Sequence, residues 1–257
     1  MSRERLKLEL LYHDIKGPLA IIETGIMSLL NKAERYGPLT SAQESVLQRV
    51  LRNAKSAQHL VDDTLEVGRS EAGAIHAQPV KLADLLSDIL IEIFDLTNAA
   101  VTKKIKSGQS LDELKSVLIA EMFYLSIDKA LWEKEISLDE KKVKQILRNL
   151  LINALKFKKT RVELEVQESD YNLFLSIADD GKGIPPIYHD KIFEGYFQLD
   201  DTEVIPVRGH GLGLAGVLIL VEDMGGELSL ESDVDKGAKF IVNIPIGESC
   251  KTFKNDR

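Results

Sequence analysis

Thiols are almost absent: Cys250 is the only cysteine in the 257 residues. A lone thiol near the C-terminus forms neither an intrachain disulfide nor a cysteine metal cluster, so a reducing, cytoplasmic compartment is expected. Long apolar runs are missing too. No window holds the roughly 18 apolar residues of a spanning helix, and the opening MSRERLKLEL lacks a signal-peptide apolar core. A basic excess is also lacking, since 33 Lys and Arg stand against 41 acids for a net charge of −8. That balance argues against a nucleic-acid-coating protein and leaves nucleic acid out of the expected partners. Internal repeats and low-complexity segments are absent as well. With 44% hydrophobic and 29% charged residues the chain can bury a core without being membrane-like, as one large domain or two ordinary ones.

The first part reads as helical. Leu8, Leu11, Ile15, Pro18, Ile22 and Leu29 recur in a heptad-like rhythm that ends at YGPLT. Ser41 with Glu44 three residues later fits a capping box for a second helix reaching about Arg69 or Glu71. Its expected buried stripe is Leu47, Val50, Ala54, Ala57, Val61 and Leu65. The first helix alone would span about 50 Å. An isolated hairpin cannot hide both seams, so pairing of two copies into a four-helix bundle is expected. From about residue 76 the texture changes. PVKLADLLSDILIEIF reads as an amphipathic helix, 99–125 as a less regular, mostly helical stretch, and LDEKKVKQILRNLLINALKF as another helix. TRVELEVQES, YNLFLSIAD, GELSLESD and AKFIVNIPI alternate like antiparallel strands. The expected fold is a helical-hairpin stalk over 1–75 followed by an α+β two-layer sandwich over 76–247, with an insertion at about 99–125 and a tail at 248–257.

Three clusters could carry chemistry. The first is a pair of Gly-rich segments: DDGKGIP (179–185) ends a strand, and RGHGLGL (208–214) precedes a helix. Glycines let backbone approach a ligand, and helix N-termini favour phosphate, yet neither segment fits the Walker or Rossmann patterns. Each reads equally well as a tight turn. Asp179 beside the glycines could accept from an exocyclic amino group and so choose adenine over guanine; an Asp that simply starts a turn is the alternative. The second cluster is Asn149, Asn153 and Lys156, which share about 60° of helical arc opposite Val143, Leu147, Leu150 and Ala154. A solvated face is the plain interpretation. Asn is nevertheless a poor interior helix residue, its carbonyl suits a Mg²⁺ that also binds phosphates, and Lys156 supplies a point charge. The third is HDIKGPL (13–19), where His13 falls at heptad position f, facing solvent, with Asp14 beside it. A carboxylate can orient one ring nitrogen and take its proton, leaving the other as nucleophile. Pro18 in a helix costs about 3 kcal/mol and kinks it, which structure alone gives no reason to accept.

In this order the segments resemble the sensor histidine kinases of two-component signalling. HDIKGPL is similar to their phosphoacceptor box, NLLINALKF (149–157) to the N box, DDGKGIP to G1, IFEGYFQ (192–198) to the F box and GHGLGL (209–214) to G2. The resemblance covers about residues 5 to 246. It implies that His13 attacks the γ-phosphate of ATP, with Asp14 as general base, and then passes the phosphoryl group to an Asp of a response regulator. It implies that Asn153 holds Mg²⁺, with Asn149 and Lys156 near the phosphates. Asp179 would read the adenine amino group. Gly181, Gly183, Gly209, Gly211, Leu212 and Gly213 would shape the nucleotide loops, and Arg208 would contact phosphate. Residues 193–208 would form a lid. A homodimer is implied, with a receiver domain as partner. ATPases of the same fold resemble one another in placing a Glu four residues before the metal-binding Asn to activate water. Here that place is Asn149, which favours phosphotransfer over hydrolysis.

Departures from the family pattern shape the remaining expectations. Gly17 stands where the family often has Thr or Asn, a residue used in dephosphorylating the partner. The gap from His13 to Asn153 is longer than usual, with 99–125 as the expected insertion, either a surface elaboration or a regulator's docking site. About a dozen residues precede His13, too few for a sensor domain. Either the chain is the cytoplasmic part of a longer, membrane-anchored sensor, or it is a soluble kinase switched by a regulatory protein. A pseudokinase or a nucleotide-switched dimeric scaffold without autophosphorylation is the alternative.

Overall fold

A computed structural model describes residues 3–69, 75–107, 110–194 and 213–247, and the chain divides into two compact units, Met1–Glu71 and Ala72–Arg257. In the first, helix α1 (Arg3–Asn31) runs on through Pro18. A short α2 (Ala33–Tyr36) leads to α3 (Ser41–Arg69). The capping box of α3 sits one residue earlier than expected. Thr40 Oγ1 accepts the Gln43 N–H at 3.3 Å, and Gln43 Oε1 accepts the Thr40 N–H at 2.9 Å. TSAQE holds two overlapping copies of the pattern, and the helix uses Thr40–Gln43 rather than Ser41–Glu44.

The seam between α1 and α3 also differs from the heptad reading. Ile26 and Ala54 are buried, with Leu19 and Leu30 half-buried beside Ile26. Ala54 belongs to the expected stripe and Ile26 does not. Ile15, Ile22 and Val50 keep 38%, 45% and 40% of their surface exposed. The apolar stripe is wider than one hairpin contact uses: Leu19, Ile26 and Leu30 occupy one flank, Ile15 and Ile22 the other.

The second unit begins with strand β1 (Gln78–Lys81) and helix α4 (Leu82–Thr97), followed by α5 (Ala99–Ser107) and α6 (Leu111–Ile119). Strand β2 (Phe123–Ile127), the short α7 (Lys129–Trp132) and β3 (Glu135–Leu138) precede the long α8 (Glu140–Phe157). The hairpin β4 (Val162–Ser169) and β5 (Asn172–Asp179), two 3-10 turns, α9 (Gly213–Asp223) and the strands β6 (Glu227–Ser232) and β7 (Ala238–Pro245) complete it. The main sheet has the order β2-β4-β5-β7-β6, with β2 parallel to β4 and the other pairs antiparallel. A separate ribbon joins β1 to β3.

Alternation decides the layers. Val162, Leu164 and Val166 of β4, Leu173, Leu175 and Ile177 of β5, and Phe240, Val242 and Ile244 of β7 are buried on one face. They meet Val143, Ile146, Leu147, Leu150 and Leu151 of α8 and the apolar face of α4 in one core. The two-layer α+β sandwich is therefore present, with a mixed rather than purely antiparallel sheet. The stretch 99–125 splits. Val101, Ile105, Leu111, Leu114 and Leu118 pack α5 and α6 into the core, but Phe123–Ile127 is an edge strand of the main sheet and not part of a helical insertion.

Candidate active site

Helix α8 is the platform. Asp139 starts it, with Oδ1 accepting the Lys142 N–H at 3.2 Å and Oδ2 accepting the His76 N–H at 2.9 Å, so a buried carboxylate satisfies two donors at once. One turn in, the Lys142 ammonium meets the Asp223 carboxylate of α9 at 2.8 Å, both side chains largely buried. Further along, Asn149 Nδ2 donates to the Gly213 carbonyl at 3.4 Å. The start of α8 thus faces the end of α9, and its middle faces the start of α9.

Asn149 is only 8% exposed, so the solvated-face reading fails for it. Asn153 is half-buried and makes no side-chain hydrogen bond within the described residues. Lys156 reaches over the ring of Phe157, its Nζ 4.8 Å from the centroid. Desolvation of that ammonium lowers its pKa although the side chain as a whole is exposed. Phe157 itself exposes 57% of its surface, an aromatic face that the sequence reading passed over because a helix-end Phe suggests core.

Strand β5 delivers Asp179 at its end. Burial pushes the Asp179 carboxyl above its ordinary value, the Gly181 and Ala238 N–H groups oppose the rise, and the charge of Asp180 adds to it. The Gly181 N–H donates to Asp179 Oδ1 at 2.8 Å. A Cβ on Gly181 would run into the Phe157 carbonyl oxygen, so only glycine lets this loop close on the end of α8. Gly183 has φ +71°, and its Cβ would strike the Asp233 carbonyl. The segment then packs inward through Ile192, which is buried, and Phe193, whose ring meets Phe240 edge-on at 6.4 Å.

The structure therefore brings Asn149 to Gly213, and Phe157 to Gly181 and Asp179. His13 and Asp14 belong to α1 of the other unit, where Asp14 is exposed. The His13 side chain, Arg208, Gly209, Gly211, Leu212 and the lid residues 195–208 lie outside the described residues. A cavity of about 460 Å³ opens on the outer face of the sheet, behind Asp179 and Asp180. It is lined by charges that pair among themselves, Arg161 with Glu163 at 3.2 Å and Lys236 with Asp233 at 2.8 Å. Being on the face away from α8, it is not where Asn149 and Asn153 could meet a ligand.

A helix bearing two asparagines, a carboxylate at a glycine-rich strand end and a second helix starting against the first suit a nucleotide whose base and phosphates lie along α8. The family described as histidine kinase-, DNA gyrase B-, and HSP90-like ATPase matches residues 138–248, and the His Kinase A (phospho-acceptor) domain matches residues 9–73. Over 91% of the chain, the sequence is 30% identical to the circadian input-output histidine kinase CikA of Synechococcus elongatus, covering 29% of that protein. It is 26% identical to the sensor protein SrrB of Staphylococcus aureus, covering 36% of it. The chain spans about a third of these curated relatives. Full-length ShkA in complex with AMPPNP superposes with a TM-score of 0.60 at 25% identity, over 94% of this chain and 46% of that one. The histidine kinase AdeS of Acinetobacter baumannii superposes at 0.53 with 17% identity, over 91% of this chain and 97% of that one, a likeness of fold. A phosphoacceptor-domain match at residues 9–73 followed by an ATPase-domain match at residues 138–248, together with the histidine kinase relatives, supports a sensor histidine kinase.

Proposed function

We propose that the chain phosphorylates itself on His13 from ATP and then passes the phosphoryl group to an aspartate of a response-regulator receiver domain. Residues 1–75 would serve dimerisation and phosphoacceptance, 76–247 would bind ATP, and 248–257 would form a tail. One His13 ring nitrogen attacks the γ-phosphorus while Asp14 takes the proton of the other. The bond from phosphorus to the bridging oxygen breaks and ADP leaves. The N–P bond then breaks as an aspartate oxygen of the partner attacks, and positioning carries the rate.

The observation that carries this reading is the corner where Asp179, Gly181 and Phe157 meet at the end of α8, the helix that also carries Asn149 and Asn153. Asp179 would accept from the adenine amino group, Asn149 and Lys156 would lie near the phosphates, Gly211 and Gly213 would shape the nucleotide loop, and Arg208 would contact phosphate. Asn153 offers one amide oxygen for Mg²⁺. Among the described residues no group of three or more His, Cys, Asp or Glu could hold a metal ion, a donor set that fits a cation arriving with the nucleotide. When bound, Mg²⁺ would neutralise charge on the phosphates. The exposed Ile15, Ile21 and Ile22 of α1 support a homodimer through the helical unit. The described helices contain no segment long and apolar enough to cross a membrane, which is compatible with a cytoplasmic kinase region.

Incubation with γ-labelled Mg·ATP tests the proposal. Label that is acid-labile, alkali-stable and lost in His13→Gln is expected. ATP binding without any label would instead favour a nucleotide-switched scaffold.

A further inference from the structure

The two neighbouring acids of DDG do different things. Asp179 points its carboxylate toward its own loop, whereas Asp180 reaches across to the chain leaving α8. Asp180 Oδ1 accepts the N–H groups of Lys159 at 3.0 Å, Thr160 at 2.9 Å and Arg161 at 3.0 Å. Its Oδ2 accepts from the Thr160 N–H at 3.2 Å and from the Thr160 hydroxyl, closer still. Three consecutive backbone donors of the turn between α8 and β4 converge on one oxygen. Burial pushes the Asp180 carboxyl up, but the Thr160 hydroxyl and these three amides outweigh it and hold the group far below the ordinary range. On one side of Asp180 is Gly181, closed against the Phe157 carbonyl; on the other is Asp179. The register of Asp179 against Phe157 is therefore fixed by the Asp180 clasp together with the bare Cα of Gly181.

We propose that Asp180 is a positioning residue for base selection: it ties the glycine loop to the end of α8, fixes where the Asp179 carboxylate stands beside Phe157, and so sets the preference for adenine over guanine nucleotides. This rests on Asp179 being the acceptor for the adenine amino group. A guanine carbonyl at that place would face a carboxylate, and the penalty survives only while Asp179 cannot swing away. The clasp works through acceptor geometry. An asparagine can offer the same oxygen to the three N–H groups and donate its NH₂ to the Thr160 hydroxyl, while an alanine can do neither.

The test is the ratio of GTP to ATP dissociation constants for the whole chain, by competition against a fluorescent adenine nucleotide. Asp180→Ala is expected to lower that ratio by about tenfold or more, and Asp180→Asn to stay within roughly threefold of wild type. A brace without a part in selection would weaken ATP and GTP by the same factor; an unchanged ratio in Asp180→Ala overturns the proposal. Equal loss in the asparagine variant would assign the effect to charge and overturn it too. Should Asp180→Ala fail to fold, Thr160→Val removes one bond of the clasp and must still lower the ratio, and no change there overturns it. Asp179→Asn separates the two readings. If that variant keeps the wild-type preference for ATP, the adenine assignment itself is wrong. If it loses the preference while folded Asp180→Ala keeps it, only the positioning role fails.

Discussion

Lys142→Met is the perturbation whose size the structure constrains best. The Lys142 ammonium and the Asp223 carboxylate are 2.8 Å apart, with side chains only 10% and 13% exposed. The exposed Lys236–Asp233 pair, at 73% and 47%, belongs to the class worth between zero and about 1 kcal/mol. Removing one partner of a buried pair is different, because the remaining charge keeps its desolvation penalty without its counter-ion, and costs about 3–5 kcal/mol. For a unit of the size of Ala72–Arg257, that lowers the melting temperature by roughly 6–20 °C, at about 2–4 °C per kcal/mol. Trp132, the only tryptophan, is buried in this unit, so its fluorescence follows the relevant transition apart from that of the helical unit. Lys142→Met/Asp223→Leu replaces both charges with apolar bulk and is expected to recover stability to within about 1 kcal/mol of wild type. A single variant that loses less than about 1 kcal/mol would mean that water screens the pair. A double variant no better than the single would mean that the charges are not what α8 and α9 lose. Either result refutes the account of how the two helices are clamped.

Two further outcomes follow from single residues. Burial raises the Asp179 carboxyl above its unfolded value of 3.8, so the folded state binds that proton more tightly than the unfolded chain. Stability therefore falls as pH rises from below 3.8 through the raised folded value, and the deficit persists at neutral pH. Asp179→Asn should then melt no lower than wild type at pH 7, while ATP affinity, having lost a charge-assisted bond, drops roughly 10- to 150-fold; a lower melting point with unchanged affinity would reverse both signs. Gly17 lies inside α1, exposed, and a Cβ there meets no atom within 4 Å. Gly17→Ala should stabilise the helical unit by about 1 kcal/mol in a circular-dichroism denaturation curve, and destabilisation would show that the position is packed in solution.

The long alternating strands and the glycine loops could be read from the sequence because each announces itself locally. VELEVQES and NLFLSIAD carry their own period of two, and DDGKGIP holds both its acid and its glycines within a few residues. Elements that depend on remote partners could not be read this way. QPVK contains a proline and EISL is four residues long, and they become strands only by pairing with each other across the chain. FYLSI follows a helix-forming stretch and is a strand because β4 lies beside it. The same holds at the site. Helical arc placed Asn149 with Asn153 and Lys156 but could not show that the Gly213 carbonyl, 64 residues on, would bury it. The Asp180 clasp was invisible because its donors are mostly backbone N–H groups, which no side-chain pattern marks.

That buried amide also separates transfer to a side chain from attack by water. Activating water requires a group that can take up a proton near neutral pH. Asn149 is an amide, and its Nδ2 is engaged with the Gly213 carbonyl. Asn153 is likewise neutral. The one carboxylate within α8 is Glu140. It is bound to Lys144 at 2.8 Å and to Gln78 at 2.8 Å, and it stands 13 residues before Asn153, roughly 20 Å along the helix axis. At the other end Asp180 is saturated by amides, and Asp179 sits at the end of β5 beside Phe157, where the base rather than the phosphates is proposed to lie. Among the described residues, none along α8 offers a base where the phosphates are proposed to lie. The proposed acceptor, His13 with Asp14 next to it in sequence, would bring its own base, which water would not.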